Sequence, residues 1–329
     1  MVSFSVSNLW RDVMLTIFAT PKRFRGHAAI IQRNAIRSWT LLRPACEIIL
    51  MGNDEGTAEI AAEFGLRYVP EIARNSFGTP LVSDMFKQAQ QLSGSDLFCY
   101  VNSDIILMSD FMQAIQRVVD QKSRFLLVGH RWNLDVKEVL EFKPDWEDKL
   151  RSQVKKFATL GSANAIDFFV FPRGLLGEMP PFAIGRPAWD NWTLYRARTL
   201  SVPLIDATPV VMAVHQNHDY SHLPQVKEGL WHGKEQFWHG EEQLANIKLA
   251  GSAAHSFTLF DATHVLMPHK LRLTYDLEHL VRHCETISMW YPWLLPLRWL
   301  PKALEMSRSL RSRFGLTLSS WRKGRVSAH

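Results

Sequence analysis

Short apolar runs alternate with amphipathic stretches through the first 107 residues. Residues 13–20 (VMLTIFAT) predict a strand, followed by a basic, turn-rich loop, PKRFRG. Ala28, Ile31, Ala35, Trp39 and Leu42 recur at helical spacing, so residues 27–42 predict an amphipathic helix stopped by Pro44. Residues 47–51 (EIILM) predict a second strand, 57–64 a helix closed by Gly65, and 66–69 a short third strand. After the loop RNSFGTP comes a helix over 81–92, then an apolar strand that turns polar at Asn102-Ser103-Asp104. This β-α-β-α-β-α-β order predicts a parallel sheet with helices on its faces. The loops after its strands then share one edge, where ligands bind in open α/β folds.

Beyond Asp104 the pattern is mixed. A helix is expected over 110–121 and a strand over 125–128, then a charged, partly helical stretch over 132–156. DFFVF at 167–171 predicts another strand, GRPAWDNW leads into a helix running to about 199, and VVMAVH at 210–215 predicts a last core strand. A boundary is expected near Tyr275, giving an α/β domain over 1–275 and a Trp-rich basic extension over 276–329. There is no GxGxxG after the first strand and no GxxxxGK[ST], which disfavours a dinucleotide fold and a P-loop.

At 329 residues with 47% hydrophobic and 21% charged residues, the chain has a globular composition. Its net charge of +6 is placed unevenly: residues 296–329 carry eight Lys and Arg against Glu305 alone, so the body is close to neutral. Cys46, Cys99 and Cys284 have no metal-site spacing and read as free thiols in a reducing compartment. Arg11 and Asp12 precede the first apolar run with no cationic start or cleavage pattern, so a cytoplasmic protein without a signal peptide is expected. No stretch has the length of a membrane span.

The carboxylate at the end of the fourth strand can hold a hard divalent cation, and the cation can hold phosphate oxygens. The alternative for Asp104 is a turn residue leading to the next helix. The sheet, the NSD at its fourth strand, an acid before a later helix and a His-rich segment after it together resemble the GT-A glycosyltransferases, over about residues 13–265. That resemblance implies a nucleotide-diphospho-sugar transferase fold and an Asp-x-Asp site for Mn2+ or Mg2+ that holds the donor diphosphate. Here the pattern is Asn102-x-Asp104, with one negative charge fewer. His215, or next His218, resembles a further metal ligand of that superfamily, while His222 is better read as bonding loop backbone. Asp190 resembles the base of inverting members; an aspartate there equally suits a helix cap. Thr20, Asp54 and Arg74 would surround a nucleotide, with Arg74 suited to a phosphate. Asp167 would reach the donor sugar or simply start its strand. Trp189 and Trp192 offer aromatic faces to sugars, against the alternative of core packing.

The implied function is transfer of a sugar from a nucleotide-sugar to a glycan or lipid-linked acceptor hydroxyl, metal-assisted and inverting. Two other readings stay open: a sugar nucleotidyltransferase, although the loop after the first strand has one glycine, and a non-catalytic binding protein on a degenerate GT-A domain. The Trp, Leu and Arg of residues 289–314 suit the surface of an anionic membrane or a docked helix with a solvated basic end. With no recognition motif, nucleic acid is not an expected partner.

Overall fold

The structure is a computed structural model that describes residues 14–218 and 240–299. The first strands and helices follow the sequence pattern closely: β1 (Leu15–Ala19), α1 (Gly26–Thr40), β2 (Glu47–Met51), α2 (Thr57–Phe64), β3 (Arg67–Val69), α3 (Val82–Leu92) and β4 (Leu97–Val101). Gly56 and Gly65 bracket α2 in left-handed conformations, φ +87° and +66°, which a side chain would resist. β1 pairs in parallel with both β2 and β4, and β3 adds in parallel to β2. The carboxyl ends of these four strands therefore lie along one edge.

Next in the chain come β5 (Ile105–Ile106), α4 (Ser109–Val119), β6 (Leu126–Val128), β7 (Arg131–Leu134), α5 (Trp146–Phe157), β8 (Thr159–Leu160) and β9 (Phe168–Pro172). They are followed by α6 (Trp189–Thr199), β10 (Leu204–Asp206), β11 (Ala213–Gln216), a helix at Glu241–Leu249, β12 (His264–Leu266) and β13 (Leu271–Leu273). The large sheet has the order β13-β12-β10-β6-β9-β4-β1-β2-β3 among the described residues. It is mostly parallel; β9 runs antiparallel between β4 and β6. Because Val101 faces Phe168, the reversed strand delivers its first residues to the carboxyl end of β4.

One expectation is corrected. The stretch at 210–215 does not enter the large sheet; its strand, β11, belongs to a small sheet ordered β5-β11-β7-β8. The large sheet is continued instead by β10, a three-residue strand too short to stand out by periodicity. The small sheet covers its own apolar core of Ile106, Met108, Leu134, Val136, Leu150, Val154 and Val214. The buried aromatic rings of Phe18, Phe86, Phe98, Tyr100 and Phe171 interlock at centroid distances of 5.0–6.5 Å.

The chain divides into two compact units, the second beginning at Thr274. Its described part is a helix, Leu277–Thr286, capped by Asp276, whose side chain accepts from the His279 N–H, followed by short 3-10 turns. No described helix is long and apolar enough to cross a membrane. His222 and residues 300–329, including the basic end of the tail, lie outside the described residues.

Candidate active site

β5 begins immediately after the polar turn of β4 and pairs antiparallel with β11, setting His215 opposite Ile105. That register brings a histidine 111 positions away beside Asp104. His218 Nε2 lies 3.1 Å from Asp104 Oδ2 and His215 Nε2 lies 3.9 Å from the same oxygen. One ligand atom from each of the three residues falls within 4.8 Å of the others. Asp104 Oδ1 and His215 Nδ1 are buried with no hydrogen-bond partner among the described residues. Buried polar atoms are normally paired, so these two are placed to take a ligand. Burial opposes charge on Asp104, but the hydrogen bond with His218 and the nearby Lys22 charge, with His215 beside it, outweigh it and hold the carboxyl well below its usual range. Burial pushes His215 below its ordinary value, keeping the imidazole neutral as a metal ligand requires. An anionic oxygen and two imidazole nitrogens on one cluster form a reasonable divalent-metal donor set.

Asn102 occupies a different role in the geometry. Its Oδ1 accepts from the Tyr100 hydroxyl at 2.9 Å, and its Nδ2 donates to Asp167 Oδ1 at 2.5 Å. Asp167 is also held by Arg131, whose NH1 stands 3.0 Å from Oδ2. The Asn102 N–H donates to the Asp167 carbonyl at 2.9 Å, which extends the β4–β9 pairing into the polar turn. Asp167 therefore stands at the same edge as Asp104, fixed by an amide and a guanidinium.

Asp190 sits in the first turn of α6 and its Oδ1 accepts from the Asn191 N–H at 2.9 Å. It is not the cap: Ala188 holds that place, at φ +86°. A left-handed conformation costs a non-glycine residue roughly 1–2 kcal/mol. Asp190 is half-buried; desolvation, with the Asp167 charge adding to it, pushes its carboxyl up to about 6. Asp104, Asp167 and Asp190 all act on the buried Tyr100, and burial together with these acids raises its hydroxyl far above the ordinary range. Three carboxylates thus lie near enough to one tyrosine to act on its hydroxyl.

Trp189 corrects an expectation. It is 6% exposed, with Tyr100, Phe169 and Phe86 at 5.1, 5.2 and 6.4 Å between ring centroids, so it has no free face for a sugar. Trp192 is likewise buried against Phe182, 5.5 Å away.

Thr20, Asp54 and Arg74 meet around Gly52. A methyl group built on Gly52 would lie 3.2 Å from Thr20 Oγ1 and 3.8 Å from Arg74 NH2, so the backbone there forms a cradle that only glycine leaves open. Gly52 has φ +93°. Arg74 donates to Asn53 Oδ1 and to the Gly78 carbonyl, both at 2.8 Å, and lies 3.8 Å from Asp54.

Sequence reasoning missed the buried polar side chains that brace the site. Gln32 accepts from the Lys22 N–H at 2.6 Å and from Ser103 Oγ at 2.9 Å, joining the first loop to the NSD turn. Gln216 donates to the Ile31 and Asp104 carbonyls at 2.7 and 3.1 Å and accepts from Asn34 at 2.9 Å. Trp39 Nε1 donates to the Ile105 carbonyl at 2.9 Å. The legible signal was a helix, α1, that carries Gln32, Asn34 and Ser38 beside its apolar stripe; all three are buried.

No protein-family model matches this chain, and no curated protein does. Solved structures with similarity include glucosyl-3-phosphoglycerate synthase from Mycobacterium tuberculosis with Mn2+, UDP and phosphoglyceric acid, at 15% identity and TM-score 0.42 over 73% of this chain and 79% of that one. S. aureus TarS 1-349 with UDP-GlcNAc matches at 9% identity and TM-score 0.48, over 94% and 77%. GalNAc-T7 with UDP, GalNAc and Mn2+ matches at 16% identity and TM-score 0.45, over 72% and 48%.

Proposed function

We propose that this chain is a GT-A-type glycosyltransferase that moves a sugar from a nucleotide-sugar to an acceptor hydroxyl with inversion at the anomeric carbon. The observation that carries the reading is the buried Asp104–His215–His218 cluster with its unsatisfied oxygen and nitrogen, set at the carboxyl edge of a parallel sheet. Along that edge, the Gly52 cradle with Thr20, Asp54 and Arg74 would receive the nucleotide, and the Arg74 guanidinium suits its phosphates. Asp104, His215 and His218 would hold the cation, Mn2+ or Mg2+, which offsets the negative charge growing on the leaving diphosphate. Imidazole ligands and the ordinary affinity order of divalent metals favour Mn2+ of the two.

Asp167, fixed by Asn102 and Arg131, would accept a hydrogen bond from a donor-sugar hydroxyl. Asp190 would take the proton from the acceptor hydroxyl as its oxygen forms the bond to the anomeric carbon. A carboxyl raised to about 6 is ionised at neutral pH yet more basic than an ordinary aspartate, as a general base needs. Asn102 braces this arrangement.

The test is calorimetry of UDP-, GDP- and ADP-sugars with and without Mn2+, followed by transfer assays with the donor that binds. Metal-dependent binding of one nucleotide family, and a product of opposite anomeric configuration, are expected. No binding of any nucleotide with either metal would overturn the reading. In the second unit, Tyr291, Trp293 and Leu295 are 52, 74 and 51% exposed and precede the basic stretch in sequence, which supports contact with an anionic membrane carrying a lipid-linked acceptor. Cosedimentation with phosphatidylserine vesicles but not phosphatidylcholine vesicles is expected; equal recovery with both would refute it.

A further inference from the structure

Two loops flank the site, and the helix Glu241–Leu249 is bonded to both of them. Glu242, whose side chain is only 11% exposed, accepts from Asn75 Nδ2 at 2.7 Å through one oxygen. Through the other it accepts from Arg186 Nε and NH2 at 2.9 and 2.5 Å. One turn further along the same helix, Asn246 donates to the carbonyls of Ala183 and Pro187 at 3.0 and 3.1 Å and accepts from the Ala183 N–H at 2.9 Å. The two loops also pair directly: Ile184 N–H donates to the Pro80 carbonyl at 3.0 Å and Val82 N–H to the Phe182 carbonyl at 2.8 Å.

What these bonds hold is the machinery of the site. Asn75 follows Arg74 of the nucleotide cradle. Arg186 and Pro187 lead directly into Ala188, the residue in a left-handed conformation, and Asp190 stands two positions later. Backbone in such a conformation persists where its surroundings over-determine it. Here the surroundings are Glu242 on Arg186 and Asn246 on the Pro187 carbonyl. A single half-buried carboxylate therefore bonds the donor loop on one side and the strained turn before the base on the other.

We propose that Glu242 is a positioning residue that couples the Arg74 loop to Asp190, so that the base is set only while the donor loop is latched. The proposal rests on the role given above to Asp190, and its test separates the two. Glu242→Gln keeps the side-chain volume and removes the charge that pairs with Arg186. Asn75→Asp keeps the oxygen that accepts from the Phe77 and Thr79 N–H groups, both within 3.0 Å, but sets a carboxylate against Glu242. The second variant breaks the latch from an exposed loop, so the test survives if the first does not fold.

Both variants are expected to lose about tenfold or more in kcat with the donor KM within a few-fold of the wild type, since the lost interaction acts on the chemical step. Glu242→Asp, which restores the charge, should recover part of the rate. Independently of turnover, the rise of the Asp190 carboxyl should relax toward its ordinary value, flattening the dependence of unfolding temperature on pH between about 4 and 7. The groups acting on Asp190 from the neighbouring strands, Asp167 before β9 and Tyr100 on β4, are unchanged in these variants. Folded variants with wild-type kcat and a wild-type pH dependence of stability would overturn the latch. If the wild-type protein transfers no sugar, the assigned function fails while the stability profiles still decide whether Glu242 positions Asp190.

Discussion

Asp190→Asn should remove transfer and stabilise the protein at the same time. The carboxyl lies near 6 in the folded chain, against an ordinary value of 3.8. A raised carboxyl means that the folded state binds the proton more tightly than the unfolded state. Its favourable contribution is therefore complete below about 4 and is lost as pH rises through about 6. Two pH units correspond to at most about 3 kcal/mol. The side chain is half-buried, and a position in the first turn of α6 lets the helix dipole compensate by up to about 1 kcal/mol, so a gain of roughly 1–2 kcal/mol is expected. Asparagine keeps the oxygen that accepts from the Asn191 N–H and carries no charge to desolvate. Thermal unfolding in metal-free buffer from pH 4 to 8 measures this. Wild type and variant should melt together near pH 4, and the variant should melt roughly 2–8 °C higher at pH 8. In parallel, kcat/KM of the wild type should fall tenfold per pH unit below about 6, and the variant should lose about 100-fold or more while still binding donor. Parallel melting profiles, or a variant less stable at pH 8, would show that Asp190 is not a desolvated carboxylate and would remove the argument for its basicity.

Asp104→Asn removes the anionic ligand, so Mn2+ affinity measured by calorimetry should fall at least tenfold while far-ultraviolet circular dichroism is retained; unchanged affinity refutes the metal cluster. Gly52→Ala places a methyl 3.2 Å from Thr20 Oγ1 at φ +93°; a loss of about 1–2 kcal/mol and weaker nucleotide binding are expected, checked by urea unfolding and donor titration. Trp189→Ala should cost about 3–5 kcal/mol by emptying an aromatic core site. A stable variant with selectively weakened sugar binding would restore the sugar-face role that its burial argues against.

The fold was legible where periodicity is local and strong. The β1–β4 half, with its glycine-bracketed α2, follows from apolar spacing and turn residues, and the carboxyl-edge place of Asp104 follows from strand order. The remainder of the site depends on pairings that no local pattern encodes. β5 has two residues and β10 three, and neither can show a period. The reversal of β9 is what turns a strand-start aspartate, Asp167, into an edge residue beside Asn102. The His215 register depends on β11 leaving the large sheet for the small one. The bracing residues, buried Gln32, Gln216 and Asn246 and half-buried Glu242, are polar side chains whose place a single sequence does not announce.

The asparagine at 102 follows from the same geometry. The charges of Asp104, Asp167 and Asp190 already act on Tyr100, and the position-102 side chain lies 2.5 Å from Asp167. An amide there donates to Asp167 from nitrogen and accepts from Tyr100 at oxygen, which satisfies all three groups. A carboxylate at 102 would face Asp167 with no donor between them, so the pair would keep a shared proton at neutral pH or push apart. His215 and His218 would supply metal ligands without adding negative charge to this crowded edge. Asn102→Asp is accordingly expected to lose about 1–3 kcal/mol at pH 8, the cost of an unpaired buried acceptor, and to regain it as the pH falls and the pair shares a proton. Its Mn2+ affinity should not rise. A variant of undiminished stability that binds Mn2+ more tightly would instead make position 102 a metal-ligand site, and the amide there a weakened one.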